Sequence, residues 1–240
     1  MRRVFIADAH LVNPEDRNYG LLLDFLSDLR GNTKTLYILG DLFEFWIGFD
    51  QSCFPHYRPV LEQLEKLASN GTDIVYFEGN HDFHLGNYFT ATLGATVYPA
   101  PATLTIDGRR VHICHGDQIN TRDIGSRIMR LFLHSRFSRL LIPAFPSQLA
   151  FLAARHLSSA SKRKHRERNT RWDYKSLLER YADKRFREGC DAVVTAHFHL
   201  PFISRRKNGG EKTLLSVGDW ISQFSYGELN GGSLSLHRFR

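Results

Sequence analysis

Five short apolar runs, each ended by a box of polar residues, constrain this chain more than any other feature. Asp8-Ala9-His10 follows Val4 to Ala7, Gly40-Asp41 follows Leu36 to Leu39, and Glu78-Gly79-Asn80-His81-Asp82 follows Ile74 to Phe77. His115-Gly116-Asp117 then follows Val111 to Cys114, and His197-Phe198-His199 follows Ala192 to Ala196. The runs are rich in β-branched and aromatic residues and predict strands over 3–7, 35–39, 73–78, 111–114 and 191–196.

Between the strands lie helical patterns. Leu21, Leu22, Phe25, Leu26 and Leu29 mark one, and Val60, Leu61, Leu64, Leu67 and Ala68 mark a second that stops at Asn70-Gly71. Strand and helix in alternation open an α/β domain. After Tyr98 the rhythm changes. The stretch 102–114 predicts a hairpin closed at Asp107-Gly108, and a second hairpin is expected around Lys207-Asn208-Gly209-Gly210. The expected architecture is two sheets face to face with helices outside. Residues 1–121 and 172–240 form its core, interrupted by a helical insert at 122–171.

That insert holds the positive charge. The whole chain carries a formal +7, whereas residues 122–171 contain twelve Lys or Arg against Asp123 and Glu167 alone. Ile128, Met129, Leu131, Phe132, Leu133, Phe137, Leu140, Leu141 and Ile142 run through it at helical spacing, so it reads as basic amphipathic helices. One account is a subdomain with a solvated cationic face. The other is a surface for anionic partners: phosphate of a substrate, acidic lipid headgroups or nucleic acid, all attracted by the same Coulomb force.

Composition excludes several classes. With 240 residues, 42% hydrophobic and 24% charged, the chain is neither disordered nor fibrous. A chain this long buries about 70% of its unfolded surface, so a metal is not needed for folding and would serve chemistry. Cys53, Cys114 and Cys190 fit no disulfide framework and no paired-cysteine zinc site, which points to the reducing cytosol. The apolar run after Met1-Arg2-Arg3 is too short for a signal peptide, and the stretch 140–154, broken by Pro143 and Pro146, falls short of the ~20 residues of a membrane span.

In an open α/β sheet ligands bind beyond the carboxyl ends of the strands, so the five boxes are expected to share one pocket. Two Asp, four His and one Asn form a donor set for a pair of divalent ions of the Mn, Fe or Zn type. Each box alone has an ordinary structural explanation as a cap, a turn or a loop start; together and in order they point to metal. His84, His112, His134, His156 and His165 lack such context. His112 is expected to face away from the site.

The order D-x-H, G-D, G-N-H-D, H, H-x-H resembles the calcineurin-like metallophosphoesterase superfamily over nearly the whole chain. The resemblance implies a two-sheet sandwich flanked by helices, with Asp8, His10, Asp41 and His199 around one ion. Asp41, Asn80, His115 and His197 would hold the other, with Asp41 bridging. The stretches 39–48 and 79–86 look like the UDP-2,3-diacylglucosamine diphosphatase family, which cleaves a nucleotide-lipid diphosphate in lipid A synthesis. That family carries a helical cap inserted where 122–171 stands here. The chain departs from these patterns where Ala7 stands in place of Ser, Ala196 in place of Gly, and His81 where the narrower family has Arg; the closing Gly218-Asp219-Trp220-Ile221 and Phe224-Ser225-Tyr226 also differ from that family.

The resemblance therefore implies a metal-dependent hydrolase that splits UDP-2,3-diacylglucosamine into UMP and 2,3-diacylglucosamine 1-phosphate. Two ions, Mn²⁺ first and Fe²⁺ or Zn²⁺ otherwise, would generate a bridging hydroxide and clamp the phosphoryl oxygens. Asn80 is a neutral ligand, and His81 is placed as general acid or electrostatic stabiliser. Asp82 either orients His81 or caps the following turn. Arg155, Ser161, Lys162, Arg163 and Lys164 are the expected phosphate contacts, and Phe132, Leu133, Phe137 and Leu141 the lining of an acyl channel. The enzyme is expected in the cytoplasm, peripheral on the inner membrane, with no obligate protein partner. Rival expectations are a metallophosphoesterase acting on nucleotides, nucleic acid or phosphoprotein, and a scaffold without catalysis.

Overall fold

In the computed structural model, residues 1–48, 54–121, 123–133, 135, 173–207 and 210–239 are described. The first half of the chain runs β1 (Arg2–Ile6), α1 (Arg17–Asp28), β2 (Thr33–Ile38), β3 (Trp46–Ile47), α2 (Arg58–Ser69), β4 (Asp73–Phe77), β5 (Asp82–Phe83) and β6 (Thr96–Tyr98). It continues through β7 (Ala102–Ile106), β8 (Arg109–Ile113), α3 (Ile124–Leu133), α4 (Tyr174–Arg187), β9 (Ala192–Thr195), β10 (Phe202–Lys207), β11 (Glu211–Ser216), β12 (Ser225–Asn230) and β13 (Ser233–Arg238).

Two large sheets result. One is ordered β13-β12-β1-β2-β4-β6 and the other β10-β11-β9-β8-β7. Strands β1, β2 and β4 are parallel neighbours, as are β8, β9 and β11, so their carboxyl ends leave each sheet together.

Period-two alternation sorts the side chains into layers. From β1, Phe5 and Ala7 enter the apolar layer between the sheets, while Val4 and Ile6 face the opposite way, towards α1 and α2. From β9, Ala192 and Val194 enter the inter-sheet layer, and Val193 packs outward with Leu178 and Ala182 of α4. The order is therefore helices, sheet, sheet, helix, which matches the expected sandwich. In the inter-sheet layer Phe5 stacks on Tyr37 with ring centroids 4.7 Å apart.

The predicted helices form for the expected reasons. α1 buries Tyr19, Leu22, Phe25 and Leu26, and α2 buries Val60, Leu61, Leu64 and Leu67. α2 ends at Asn70-Gly71, where Gly71 takes a left-handed φ of +85° and Thr72 N–H returns to Leu67 O at 3.1 Å. Asp107 and Gly108, both at positive φ, close the β7–β8 hairpin as the Asp-Gly pair predicts.

Four features lie outside the predicted elements: helix α4, strand β6, the β12–β13 hairpin, and the pair β3 and β5. The β12–β13 hairpin turns on Gly231-Gly232 and pairs β12 with β1, completing the first sheet. Strands β3 and β5 are two residues each and pair in parallel, too short for a periodic signal. They matter because Trp46 N–H donates to His81 O at 2.9 Å and its indole N–H to Leu85 O at 3.1 Å. The Trp46 ring lies among Phe43, Phe54, Tyr57 and Phe89. This aromatic packing ties the loop after β2 to the loop after β4.

Of the 122–171 insert, the described part is α3 with Asp123 and Ser135. Ile124, Ile128, Leu131 and Phe132 recur at helical spacing and are exposed, and Arg130 Nε pairs with Asp117 at 2.5 Å. No helix among the described residues is long and apolar enough to cross a membrane.

His112 faces α4, as expected, with Nδ1 3.0 Å from Thr103 Oγ1 and Nε2 2.9 Å from the Tyr181 hydroxyl. Burial, and then the charge of Arg185, pull its pKa from 6.5 down to about 4. A depressed histidine pKa means that the folded state resists protonation, so its contribution is whole above pH 6.5 and is lost as the pH falls towards 4. Urea denaturation across that window is expected to show falling stability in the native chain and a shallower fall in His112→Gln, which retains hydrogen-bonding capacity without the titration.

Candidate metal centre

All five polar boxes meet at the shared carboxyl ends of β1, β2, β4, β8 and β9. Main-chain hydrogen bonds splice the strand exits together. Asp8 N–H donates to Gly40 O at 3.2 Å, His10 N–H to Asp41 O at 3.0 Å, and Ala196 N–H to His115 O at 2.8 Å. Two bonds cross from one sheet to the other: His197 N–H to Asp8 Oδ2 at 2.7 Å, and His115 Nδ1–H to Leu39 O at 2.7 Å.

The backbone is unusual here. Asp8, His10, Asp41, His197 and His199 all lie at φ between +45° and +71°. Left-handed backbone at non-glycine residues costs roughly 1–3 kcal/mol each and persists only where the surroundings enforce it. Its effect is to break the strand direction at the sheet edge, so that Asp8 and His10, and likewise His197 and His199, contribute to one site.

Three donor groups emerge among the described residues, one of them His10, Glu44 and His81, and the other two consist of ligands expected from the sequence. Ligand atoms of Asp8, His10 and His199 lie within 4.8 Å of one another, and so do those of Asp41, His115 and His197. Asp41 Oδ2 joins the groups, 3.7 Å from His10 Nε2 and 3.4 Å from His115 Nε2. Asn80 Oδ1 and His197 Nδ1 each lie 3.1 Å from His115 Nε2. The seven residues singled out from the sequence thus share one cleft.

Charge favours cations in it. Burial opposes the ionisation of Asp41, yet His115, His81 and His10 hold its pKa well below the ordinary value. Burial raises Asp8, against the pull of His199 and His115. His115 is pushed up to about 10: burial works against its charge, but Asp41 outweighs burial. Asp8 Oδ1 is buried with no hydrogen-bond partner among the described residues. Carboxylates, an orphaned carboxylate oxygen and imidazole nitrogens turned inward form a donor set that fits divalent metal ions.

His81 sits at the rim. Its N–H donates to Asp41 Oδ1 at 2.9 Å, its Nδ1 lies 2.9 Å from Glu44 O, and its ring meets that of His10 edge-on at 4.6 Å. Asp82 neither orients His81 nor caps the turn that follows, which corrects both expectations. Its buried carboxylate accepts from the N–H groups of Asp41 (2.8 Å), Gly79 (3.1 Å) and Leu42 (2.7 Å), and from the Tyr76 hydroxyl (2.6 Å). Burial and the charge of Asp41 raise it to about 7.

Two residues were not singled out from the sequence. Glu44 Oε2 lies 3.3 Å from His10 Nδ1. Asp219 Oδ2 lies 3.4 Å from His199 Nδ1, while its Oδ1 accepts from the N–H groups of Ile221, Ser222 and Gln223. The His199 and Ser222 hydrogen bonds outweigh burial and hold Asp219 at about 2. Asp219 was findable, because Val217-Gly218-Asp219 follows β11 just as the other boxes follow their strands. Arg155, Ser161, Lys162, Arg163, Lys164, Phe137 and Leu141 lie outside the described residues, as does the side chain of Leu133. A cavity of about 490 Å³ adjoins the loop after β4, with Glu78, His84, Asn87, Thr90 and Ser135 in its wall.

The sequence model of the calcineurin-like phosphoesterase family matches residues 1–201. A UDP-2,3-diacylglucosamine hydrolase of Pseudomonas entomophila (strain L48) is 31% identical over 222 residues, covering 90% of each chain. One of Stenotrophomonas maltophilia (strain K279a) is 30% identical over 243 residues, covering 98% of each. Among solved structures, an archaeal phosphodiesterase superposes with a TM-score of 0.51 at 14% identity, over 99% of both chains, a likeness of fold.

Gly79 tests the geometry. A Cβ there would lie 2.7 Å from Asp41 N and 2.9 Å from Asp82 Oδ1. Gly79→Ala is expected to displace the Asp41 loop and weaken binding of added Mn²⁺ by about 10–100-fold, the usual cost of disturbing ligand support. Calorimetric titration would read this, with circular dichroism confirming that the fold is retained.

Proposed function

We propose that this chain, which belongs to the calcineurin-like phosphoesterase family, hydrolyses UDP-2,3-diacylglucosamine to UMP and 2,3-diacylglucosamine 1-phosphate, the diphosphate cleavage of lipid A synthesis. The observation that carries this reading is the pair of donor groups joined by Asp41, in a chain 30–31% identical to hydrolases of that substrate over nine-tenths or more of its length. The residues fit two divalent ions, Mn²⁺ first. Asp8, His10, Asp41 and His199 would hold one, and Asp41, Asn80, His115 and His197 the other. Bound there, the ions supply an activated water and neutralise charge on the phosphoryl oxygens.

The chain's own residues set the rest. Asp41 is held from three sides, by Asp82 at its N–H, by His81 N–H at Oδ1, and by His10 and His115 around Oδ2. It therefore has one orientation in which to serve both groups. Asn80 adds a ligand without adding negative charge, which keeps the cleft attractive to a diphosphate. Through Nδ1, His81 donates to Glu44 O, and its Nε2 is left to meet the leaving or equatorial oxygen.

The insert supplies recognition in this reading, with Arg155, Ser161, Lys162, Arg163 and Lys164 at the phosphates. The exposed Ile124, Ile128, Leu131 and Phe132 on α3, beside a strongly basic stretch, support a peripheral seat on an anionic membrane surface, here the cytoplasmic face of the inner membrane. The cavity walled by His84, Asn87 and Ser135 beside the loop after β4 offers room for part of the substrate. A second reading, a phosphoesterase for other nucleotides, is favoured only by His81, which stands where the narrower family carries Arg.

The deciding assay is hydrolysis of UDP-2,3-diacylglucosamine by Mn²⁺-loaded protein, with identification of the nucleotide released. UMP is expected; release of UDP, or a preference for bis-p-nitrophenyl phosphate, would refute the substrate assignment. His81→Ala is expected to lower kcat by about 10²–10³ while both ions stay bound, within the range for a lost proton donor. An unchanged kcat would remove His81 from the reaction.

A further inference from the structure

We propose that Glu44 is a positioning residue that sets two histidines of the site at once, one through its side chain and one through its main chain. This rests on the metal-site reading above and on the geometry around Glu44. The residue is buried at 6% exposure, and its carboxylate Oε2 lies 3.3 Å from His10 Nδ1. Its main-chain carbonyl accepts from His81 Nδ1 at 2.9 Å. A histidine presents a lone pair on one ring nitrogen only when the proton sits on the other, and the partner of that proton fixes both tautomer and ring angle.

For His10 the consequence is definite. With Nδ1 3.3 Å from Glu44 Oε2, Nε2 faces Asp41 Oδ2 at 3.7 Å and Asp8 Oδ1 at 4.0 Å, ready to ligate. A carboxylate partner also raises the basicity of the ligating nitrogen. For His81 the carbonyl fixes the ring so that Nε2 remains for the substrate. The rings of His10 and His81 meet edge-on at 4.6 Å, so the settings are mutually dependent.

Glu44 is itself well anchored. Its N–H donates to Leu11 O at 3.1 Å, and the next residue, Phe45, donates its N–H to the Tyr57 hydroxyl at 3.3 Å. It thus lies on the short strap between Asp41 and the Trp46 aromatic cluster, so packing in that cluster is transmitted to both histidines.

The experiment uses the full chain stripped of metal, comparing the native protein with Glu44→Ala and Glu44→Gln. Mn²⁺ is titrated by calorimetry, and the spin coupling of the bound pair is followed by electron paramagnetic resonance. In Glu44→Ala, one of the two ions is expected to bind about 10–100-fold more weakly. An uncoupled Mn²⁺ signal should then appear at concentrations where the native protein shows a coupled pair. Glu44→Gln, whose amide oxygen still accepts a hydrogen bond, should lose less, and the melting temperature of both metal-free variants should stay near native.

Native affinity for both ions in Glu44→Ala would overturn the proposal. So would equal weakening of both ions together with a lowered melting temperature, or loss of a third ion that the native protein had bound between His10, Glu44 and His81. If Glu44→Ala does not fold, Glu44→Gln alone decides, by selective weakening of one ion or by its absence. A native protein that binds two coupled ions but leaves UDP-2,3-diacylglucosamine intact would refute the substrate and leave the role of Glu44 standing.

Discussion

The carboxylate of Asp82 is the interaction on which the site's geometry depends. It is fully buried, and five hydrogen bonds from the loop after β2, the loop after β4 and β4 itself converge on its two oxygens. A buried carboxylate without partners would cost several kcal/mol, whereas one taking several donors becomes a rigid joint. It fixes Asp41 and Gly79 against each other, and Asn80 and His81 follow Gly79 directly. Trp46 reinforces the same joint through its bonds to His81 O and Leu85 O. The candidate metal-binding side chains are thereby placed relative to one another by buried structure, although each sits in a loop.

That placement explains how five residues tolerate left-handed backbone. The strain, roughly 1–3 kcal/mol per residue, exists only because the alternatives are closed off. Asp8 cannot relax without losing its N–H bond to Gly40 O, and His197 cannot without giving up Asp8 Oδ2. Gly40 and Gly79 supply the close approach that makes this possible, since a Cβ on Gly40 would lie 2.7 Å from Gly79 Cα. The sandwich behind supplies the stiffness, with Phe5, Ala7, Leu39, Phe77, Val194 and Ala196 packed immediately beneath the ligand loops.

Much of this was legible in the sequence, because strand-end convergence is a topological rule that needs no side-chain detail. The sandwich, α1, α2, the Asp-Gly hairpin and the seven clustered residues all followed from apolar runs and what ended them. What escaped was short or indirect, apart from α4, a 14-residue helix that buries only Leu178 and Ala182 and so carries a weak apolar stripe. Strands β3 and β5 have two residues each, below any periodicity. The β12–β13 hairpin carries only Leu229, Leu234 and Leu236 as aliphatic residues, with Gly231-Gly232 as its one strong signal. Glu44 and Asp219 lie beside Nδ1 of His10 and His199, and spacing alone does not distinguish such a carboxylate from a surface one. Asp82 looked like a partner of its neighbour His81, but bonded across the fold to residues forty positions away.

Seen from the imidazoles, these outer partners form a pattern. His10 faces Glu44 through Nδ1, His199 faces Asp219 through Nδ1, His115 donates Nδ1–H to Leu39 O, and His81 has Glu44 O at the same nitrogen. For His10 and His115 the acceptor lies behind the ring and Nε2 faces Asp41 Oδ2. The buried carboxylates of Asp8 and Asp41 share this wall of the cleft, which makes it a poor surface for an anion until cations intervene. The raised His115 reflects the same demand, since a proton on its ring partly answers the negative charge of Asp41. A diphosphate could approach this cleft only after divalent ions had inverted its sign. In the function proposed above, metal loading would be a precondition of substrate binding, and phosphate recognition beyond the ions would fall to His81 and the basic insert.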